Sequence, residues 1–307
     1  MKKYIAVVFI FMLAFPAFSD ESSTPELNIE FIRTLDDDTG TKHWGYYIGA
    51  RSTGPIFLDS GRVAYIGRNE DRSEVLKVFD VNDGEFVISY PFLKNEYPRI
   101  IRIFDSIFTR SEKINRQFPR IKLLGLEQWF GEHLLYRYEE KKLYLSKSGQ
   151  LEELIVIPTR RKASIDPPVV APDGASVFFL AYEGEHFLLF GTLYRLSLDD
   201  YSIEKILHYV GDFAFFGEDK IVAYQLSKGE HTLIKRMTHP GDFIVIDIGS
   251  GSVISLDEYD YLNNREFVIN KFDIRGEWLA AFGAYQEFDE GVKIVDKRNV
   301  LLCRIME

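Results

Sequence analysis

Short apolar runs bounded by Gly, Asp and Asn recur along this chain, and long stripes at helical spacing are scarce. Arg62–Ile66, Glu74–Val81, Lys142–Leu145, Val177–Ala181, Lys220–Gln225, Phe243–Ile248, Trp278–Phe282 and Val292–Val295 are such runs. Runs of this length between turn residues predict strands. The 25 Phe and 17 Tyr point the same way, because aromatic side chains fit a pleated, half-buried surface.

The runs fall into repeated units. The clearest spans Val169–Leu207: strand, turn at Pro172-Asp173-Gly174, strand, turn at Gly184, strand through Leu193–Leu198, turn at Asp199-Asp200, strand. The next unit follows the same plan, with Phe213–Phe216, Ile221–Leu226 and Phe243–Ile248 separated by turns near Gly217, Gly229 and Gly249–Gly251. Weaker copies lie at Pro55–Tyr90, Gly125–Leu154 and Phe267–Ile305, the last with turns expected at Arg275-Gly276 and Lys297–Asn299. Leu27–Ala50 supplies a partial unit, with strands near Asn28–Thr34 and Trp44–Ala50.

Four short antiparallel strands repeated at this period are the signature of a β-propeller. One small sheet cannot bury both faces, and radial stacking buries each against its neighbours. A β-sandwich also has short strands at regular spacing, but the blade-length period favours the propeller. The expectation is an all-β ring of about six four-stranded antiparallel blades, within a range of five to seven, with Asn28–Thr34 closing the last blade. One domain over residues 20–307 is expected, with 95–122 inserted between blades.

The Val169–Leu207 unit resembles the propeller repeat of the TolB-like and WD-repeat-like families. Pro172-Asp173-Gly174, then Val177-Phe178-Phe179, then Leu193-Tyr194-Arg195-Leu196-Ser197-Leu198 carry the likeness. It covers about forty residues, and the other units lack Pro-Asp-Gly. The resemblance implies a fold and a precedent for periplasmic protein binding.

Asn95–Lys122 breaks the pattern. From Tyr97 onward it holds Arg99, Arg102, Arg110, Lys113, Arg116, Arg120 and Lys122 against Asp105 and Glu112. Ile100, Ile101, Phe104, Ile107 and Phe108 recur at helical spacing, and Pro98 and Pro119 suit a helix's first turn and its end. A basic amphipathic helix is expected here, with Arg102 and Asp105 placed for local pairing. Arg110, Lys113 and Arg116 form a candidate basic docking patch for acidic lipid or an acidic partner. The alternative is an insertion lying against the propeller's own acidic surface.

The N-terminus reads as a secretory signal: Lys2 and Lys3, then uncharged Tyr4–Phe15, then Ala17 and Ser19 before a cut at Asp20. The expected destination is the periplasm or the exterior. The formal net charge is −10, and removing residues 1–19 makes it −12. An acidic chain repels phosphate backbones, which excludes nucleic acid as an expected partner. The single Cys, Cys303, excludes an intramolecular disulfide and multi-thiolate zinc. It lies in an apolar stretch and is expected to be a small buried hydrophobe.

Gly-Glu-His occurs at Gly131, Gly184 and Gly229. Gly tolerates the positive φ of tight hairpins, so the three copies read as turns. The copies after Gly184 and Gly229 place Glu185, His186, Glu230 and His231 where, with Trp44, they would form a ligand rim if neighbouring hairpins lean together. No nucleophile elbow, phosphate loop or zinc-protease spacing is present, so catalytic residues, a cofactor and a metal site are not assigned. The expected function is a monomeric binding scaffold for another envelope or extracellular protein, with peripheral membrane contact through the basic patch open. The alternative is a propeller hydrolase or lyase acting on a glycan or related polymer.

Overall fold

The computed structural model describes residues 28–36, 54–68, 74–91, 100–154, 164–182, 191–225, 241–255, 267–289 and 292–306. The first strand, β1 (Asn28–Asp36), is taken up last. Sheet I is β2 (Ile56–Phe57), β3 (Arg62–Arg68), β4 (Glu74–Asp80) and β5 (Glu85–Pro91). Sheet II is β6 (Ile100–Ile103), β7 (Ser106–Thr109) and β8 (Ile121–Leu123), with helix α1 (Glu112–Gln117) between the last two. Sheet III is β9 (Glu127–Phe130), β10 (Leu134–Arg137), β11 (Lys142–Lys147) and β12 (Gln150–Glu153).

Sheet IV holds β13 (Ser164–Ile165) and β14 (Val169–Val170), both paired with β15 (Ser176–Tyr182), then β16 (Gly191–Ser197). Its outer strand is the first half of β17 (Ile203–Phe216). The second half of β17 opens sheet V, with β18 (Lys220–Gln225), β19 (Asp242–Asp247) and β20 (Val253–Ser255). The strand changes sheet at Tyr209, whose φ of 62° bends it, and at a register shift between Val210 and Asp212. Sheet VI is β21 (Phe267–Arg275), β22 (Trp278–Asp289), β23 (Val292–Met306) and, on its outer edge, β1. The expected closing strand is therefore present: Asn28 pairs with Met306 and Phe31 with Cys303.

Five hydrophobic clusters join these sheets into a ring. Ile56, Leu76 and Val78 of sheet I meet Ile100 and Ile121 of sheet II, over Ile114 of α1. Ile103 and Phe108 meet sheet III at Leu134 and Leu143, and sheet IV at Val177 and Phe179. Phe178 and Leu180 turn the other way, onto Ile221 and Ala223 of sheet V. Val222 and Tyr224 then face Leu279 and Ala281 of sheet VI, and Ala280 and Leu302 return to Phe57, Val63 and Phe79 of sheet I. Alternate residues of one strand thus serve two interfaces, which explains why the inner strands are apolar runs rather than alternating patterns. Each fully buried Val, Leu, Ile or Phe contributes roughly 1.5–3 kcal/mol, so interfaces rather than strand propensity hold this β-propeller together.

Two expectations are corrected. Ile100, Ile101, Ile107 and Phe108 lie on β6 and β7, and Phe104 lies in the turn between them with φ of 57°. Among the described residues helix is confined to α1, capped by the Ser111 side chain at the Ile114 N–H. Lys297 and Asn299 are not a turn but pair with Tyr285 and Gly283 inside β23. The strand expected near Trp44–Ala50 and the signal segment lie outside the described residues.

Cys303 is fully buried between sheets V and VI. Burial pushes its thiol up to about 12. Among the described residues, no helix is long and apolar enough to cross a membrane.

Candidate functional site

The inner strands of the ring surround a cavity of about 150 Å³. Ile56 of sheet I, Arg102 of sheet II, Asp166 and Val169 of sheet IV, Asp212 of sheet V and Lys271 and Asp273 of sheet VI line it. Sheet III contributes only Tyr138, from the turn after β10. Phe104 and Val169 bridge directly, joining sheets II and IV.

Charged side chains reach this cavity through strand alternation. Lys271 and Asp273 stand two apart on β21 and share one face, while Phe272 between them turns into the core. Arg102 grips Asp273 with both arms, Nη1 to Oδ1 and Nη2 to Oδ2, each at 2.8 Å. The same Nη2 donates to the Phe57 carbonyl at 3.2 Å, and the Phe57 N–H donates to Asp273 Oδ2 at 2.8 Å. Sheets I, II and VI are clamped by this one group.

A second group ties sheets IV, V and VI. The Lys271 ammonium lies 3.0 Å from Asp212 Oδ1 and 3.4 Å from Asp166 Oδ2. The Phe272 N–H donates to Asp212 Oδ2, and the Tyr182 hydroxyl donates to Asp166 Oδ2, both at 2.8 Å. Burial alone would push the lysine down, but the two carboxylates hold its pKa above the usual lysine value. Burial pushes Asp212 up, against the opposing pull of Lys271 and the Phe272 N–H. Tyr182 is held far above the usual phenol value by burial and by Asp166, so it remains a neutral donor. Gly54 leaves room for Lys271: a Cβ there would stand 2.5 Å from the lysine Cβ.

Of the residues singled out from sequence, Trp44, Glu185, His186, Glu230 and His231 lie outside the described residues. The third Gly-Glu-His copy is a hairpin turn between β9 and β10, with Gly131 at φ of 59°. Arg110, Lys113 and Arg116 cluster at α1, but Arg110 pairs with Glu139, and Arg116 with Glu112 at 3.0 Å. The expected Arg102–Asp105 pair does not form: Asp105 lies in the turn after β6, where it accepts from the Ser106 hydroxyl. Arg102 crosses the ring to Asp273 instead. Trp129 is half exposed, whereas Phe130 packs on Phe104 and the cluster around it.

Sequence reasoning missed all five axial charges. For four of them the signal is a charge inside an apolar strand: Ile101-Arg102-Ile103, Gly211-Asp212-Phe213 and Asn270-Lys271-Phe272-Asp273-Ile274; Asp166 follows β13 and carries no such signal. A strand buried on both faces tolerates such a residue only where a partner waits.

No family model and no curated protein sequence matches this chain. Among solved structures it is similar to TolB from Acinetobacter baumannii, at 13% identity and a TM-score of 0.32 over 82% of this chain. The chain spans 55% of that TolB chain. A chain from the mitotic checkpoint complex is similar over 98% of this chain and 99% of its own, at 8% identity and a TM-score of 0.44. An oligogalacturonate lyase in complex with manganese is similar over 80% of this chain and 63% of its own, at 9% identity and a TM-score of 0.30. These are likenesses of shape, and the ring itself rests on the sheets and clusters above.

Proposed function

We propose that this protein is an exported β-propeller that binds another macromolecule of the cell envelope or the exterior through one end of its ring. The observation that supports this most is the axial network. Five sheets are tied together by buried ion pairs whose oxygens are already filled, at Asp212 and Asp273, by lysine, arginine and backbone donors. Groups held in this way stiffen a frame, and loops on a stiff frame suit recognition. The signal-like N-terminus supports export.

The test is a pull-down from envelope extract with the full exported chain as bait and the heat-unfolded chain as control. One partner retained by the folded bait alone is the expected result. Recovery of none in any fraction overturns the reading, as does retention of the unprocessed chain in the cytoplasm.

A hydrolase or lyase is the second reading, because Asp166, Asp212 and Asp273 converge in one cavity. Against it stands size. A space of about 150 Å³ matches a cavity that takes one benzene, a scale that suits a small group better than a sugar ring with its neighbours. Depolymerisation of a glycan by the purified chain, lost in Asp212→Asn, would reverse the order of the two readings.

A further inference from the structure

Among the described residues, the axial cavity is short of one positive charge. Three carboxylates, Asp166, Asp212 and Asp273, share two cations, Arg102 and Lys271. Both oxygens of Asp273 and both of Asp212 accept hydrogen bonds. Asp166 differs. Its Oδ2 accepts from Tyr182 and, at 3.4 Å, from Lys271, while its Oδ1 is buried with no hydrogen-bond partner among the described residues. The residue is only 6% exposed and lines the cavity. An unpaired buried carboxylate oxygen is costly, and folded proteins seldom keep one without a reason.

We propose that the axial cavity is a binding site for one protonated amine or guanidinium group, with Asp166 as its counter-ion. A water molecule would leave the charge uncorrected; a cation in the cavity that Asp166 lines corrects it. The space suits a short alkyl stem with a charged head. Pro55, Ile100 and the rings of Tyr138 and Phe213 in its lining offer the stem apolar contact. The head can come from a free small amine or from a Lys or Arg side chain presented by a bound protein. The inference rests on the reading of the ring as a binding module, and it gives that module a ligand chemistry.

Calorimetry with n-propylammonium chloride tests it, against n-propanol and against sodium chloride at matched ionic strength. Saturable binding of the ammonium alone is expected, weakened about tenfold or more, equivalent to 1.4 kcal/mol, in Asp166→Asn. Val169→Phe fills the cavity while leaving every charge in place, and is expected to abolish binding with an unchanged circular dichroism spectrum. The peptide Gly-Gly-Lys-Gly-Gly and its norleucine counterpart separate the sources: tighter binding of the lysine peptide than of the free amine assigns a protein side chain, and the reverse assigns a small molecule. No saturable binding of either cation, equal binding of propanol, or binding untouched by both variants overturns the proposal. A partner recovered from envelope extract in the absence of cation binding sinks this inference and leaves the scaffold reading standing. Cation binding with no partner does the opposite.

Discussion

The ion pairs on the axis and those at the α1 rim use the same chemical groups at nearly the same distances. Arg102 meets Asp273 at 2.8 Å, and Arg116 meets Glu112 at 3.0 Å. They differ in their access to water. The Asp273 side chain is 8% exposed and that of Arg116 is 78% exposed. At the rim, water solvates either partner nearly as well as the other does, and ordering two long side chains costs entropy. On the axis Asp273 lacks that alternative and Arg102, 27% exposed, has it only in part, so removing the carboxylate strands the groups it holds. Distance therefore does not rank these contacts; what is left behind after a deletion does.

The sharpest way to break this comparison is Asp273→Ala. It leaves the Arg102 guanidinium and the Phe57 N–H without their acceptor. The expected loss in urea unfolding is about 3–5 kcal/mol. A loss below about 1 kcal/mol would make the axial pair no different from a surface one.

Lys271→Gln refines the picture through pH. The lysine's pKa is raised in the folded state above its ordinary value of 10.5. Its contribution is then fully present below that value and is lost as pH climbs through the folded-state one. The stability gap between the native chain and Lys271→Gln is expected to stay level from about pH 6 to about pH 9 and to shrink only above the ordinary lysine range. A gap that closes below about pH 9 would mean that the two carboxylates do not hold the proton.

The smallest effect belongs to Arg116→Ala. It should change stability by no more than about 0.5 kcal/mol, and by less in high salt. A larger loss would give the rim the energetic character assigned here to the axis.

The ring was legible in the sequence because its rule is local. Pro172-Asp173-Gly174, Asn82-Asp83-Gly84 and Ser148-Gly149 mark reversals, and the apolar runs between them match β14–β16, β3–β5 and β10–β12. Sheet II was misread for a physical reason. Ile100, Ile101, Phe104, Ile107 and Phe108 fit a helical stripe and also fit two strands buried on both sides. Phe104 then makes the turn with a positive φ that no Gly or Asn announced. The axial site was not legible at all. Arg102, Asp166, Asp212, Lys271 and Asp273 meet only after the chain has travelled round the ring. Sequence reasoning placed Arg102 with a near neighbour instead of a residue 171 positions away.

β1 has a consequence for how molecules meet one another. Among the described residues it alone covers the outer edge of the 15-residue ribbon β23, pairing along Val300–Met306. Asn28 pairs with Met306, so until that stretch of β23 has been synthesised the partner does not exist. At high concentration the first strand of one molecule would find the bare ribbon of another as readily as its own, giving exchanged dimers or open strings held by native pairing. The characteristic failure of this architecture is thus misdirected self-association at its seam rather than collapse of its core.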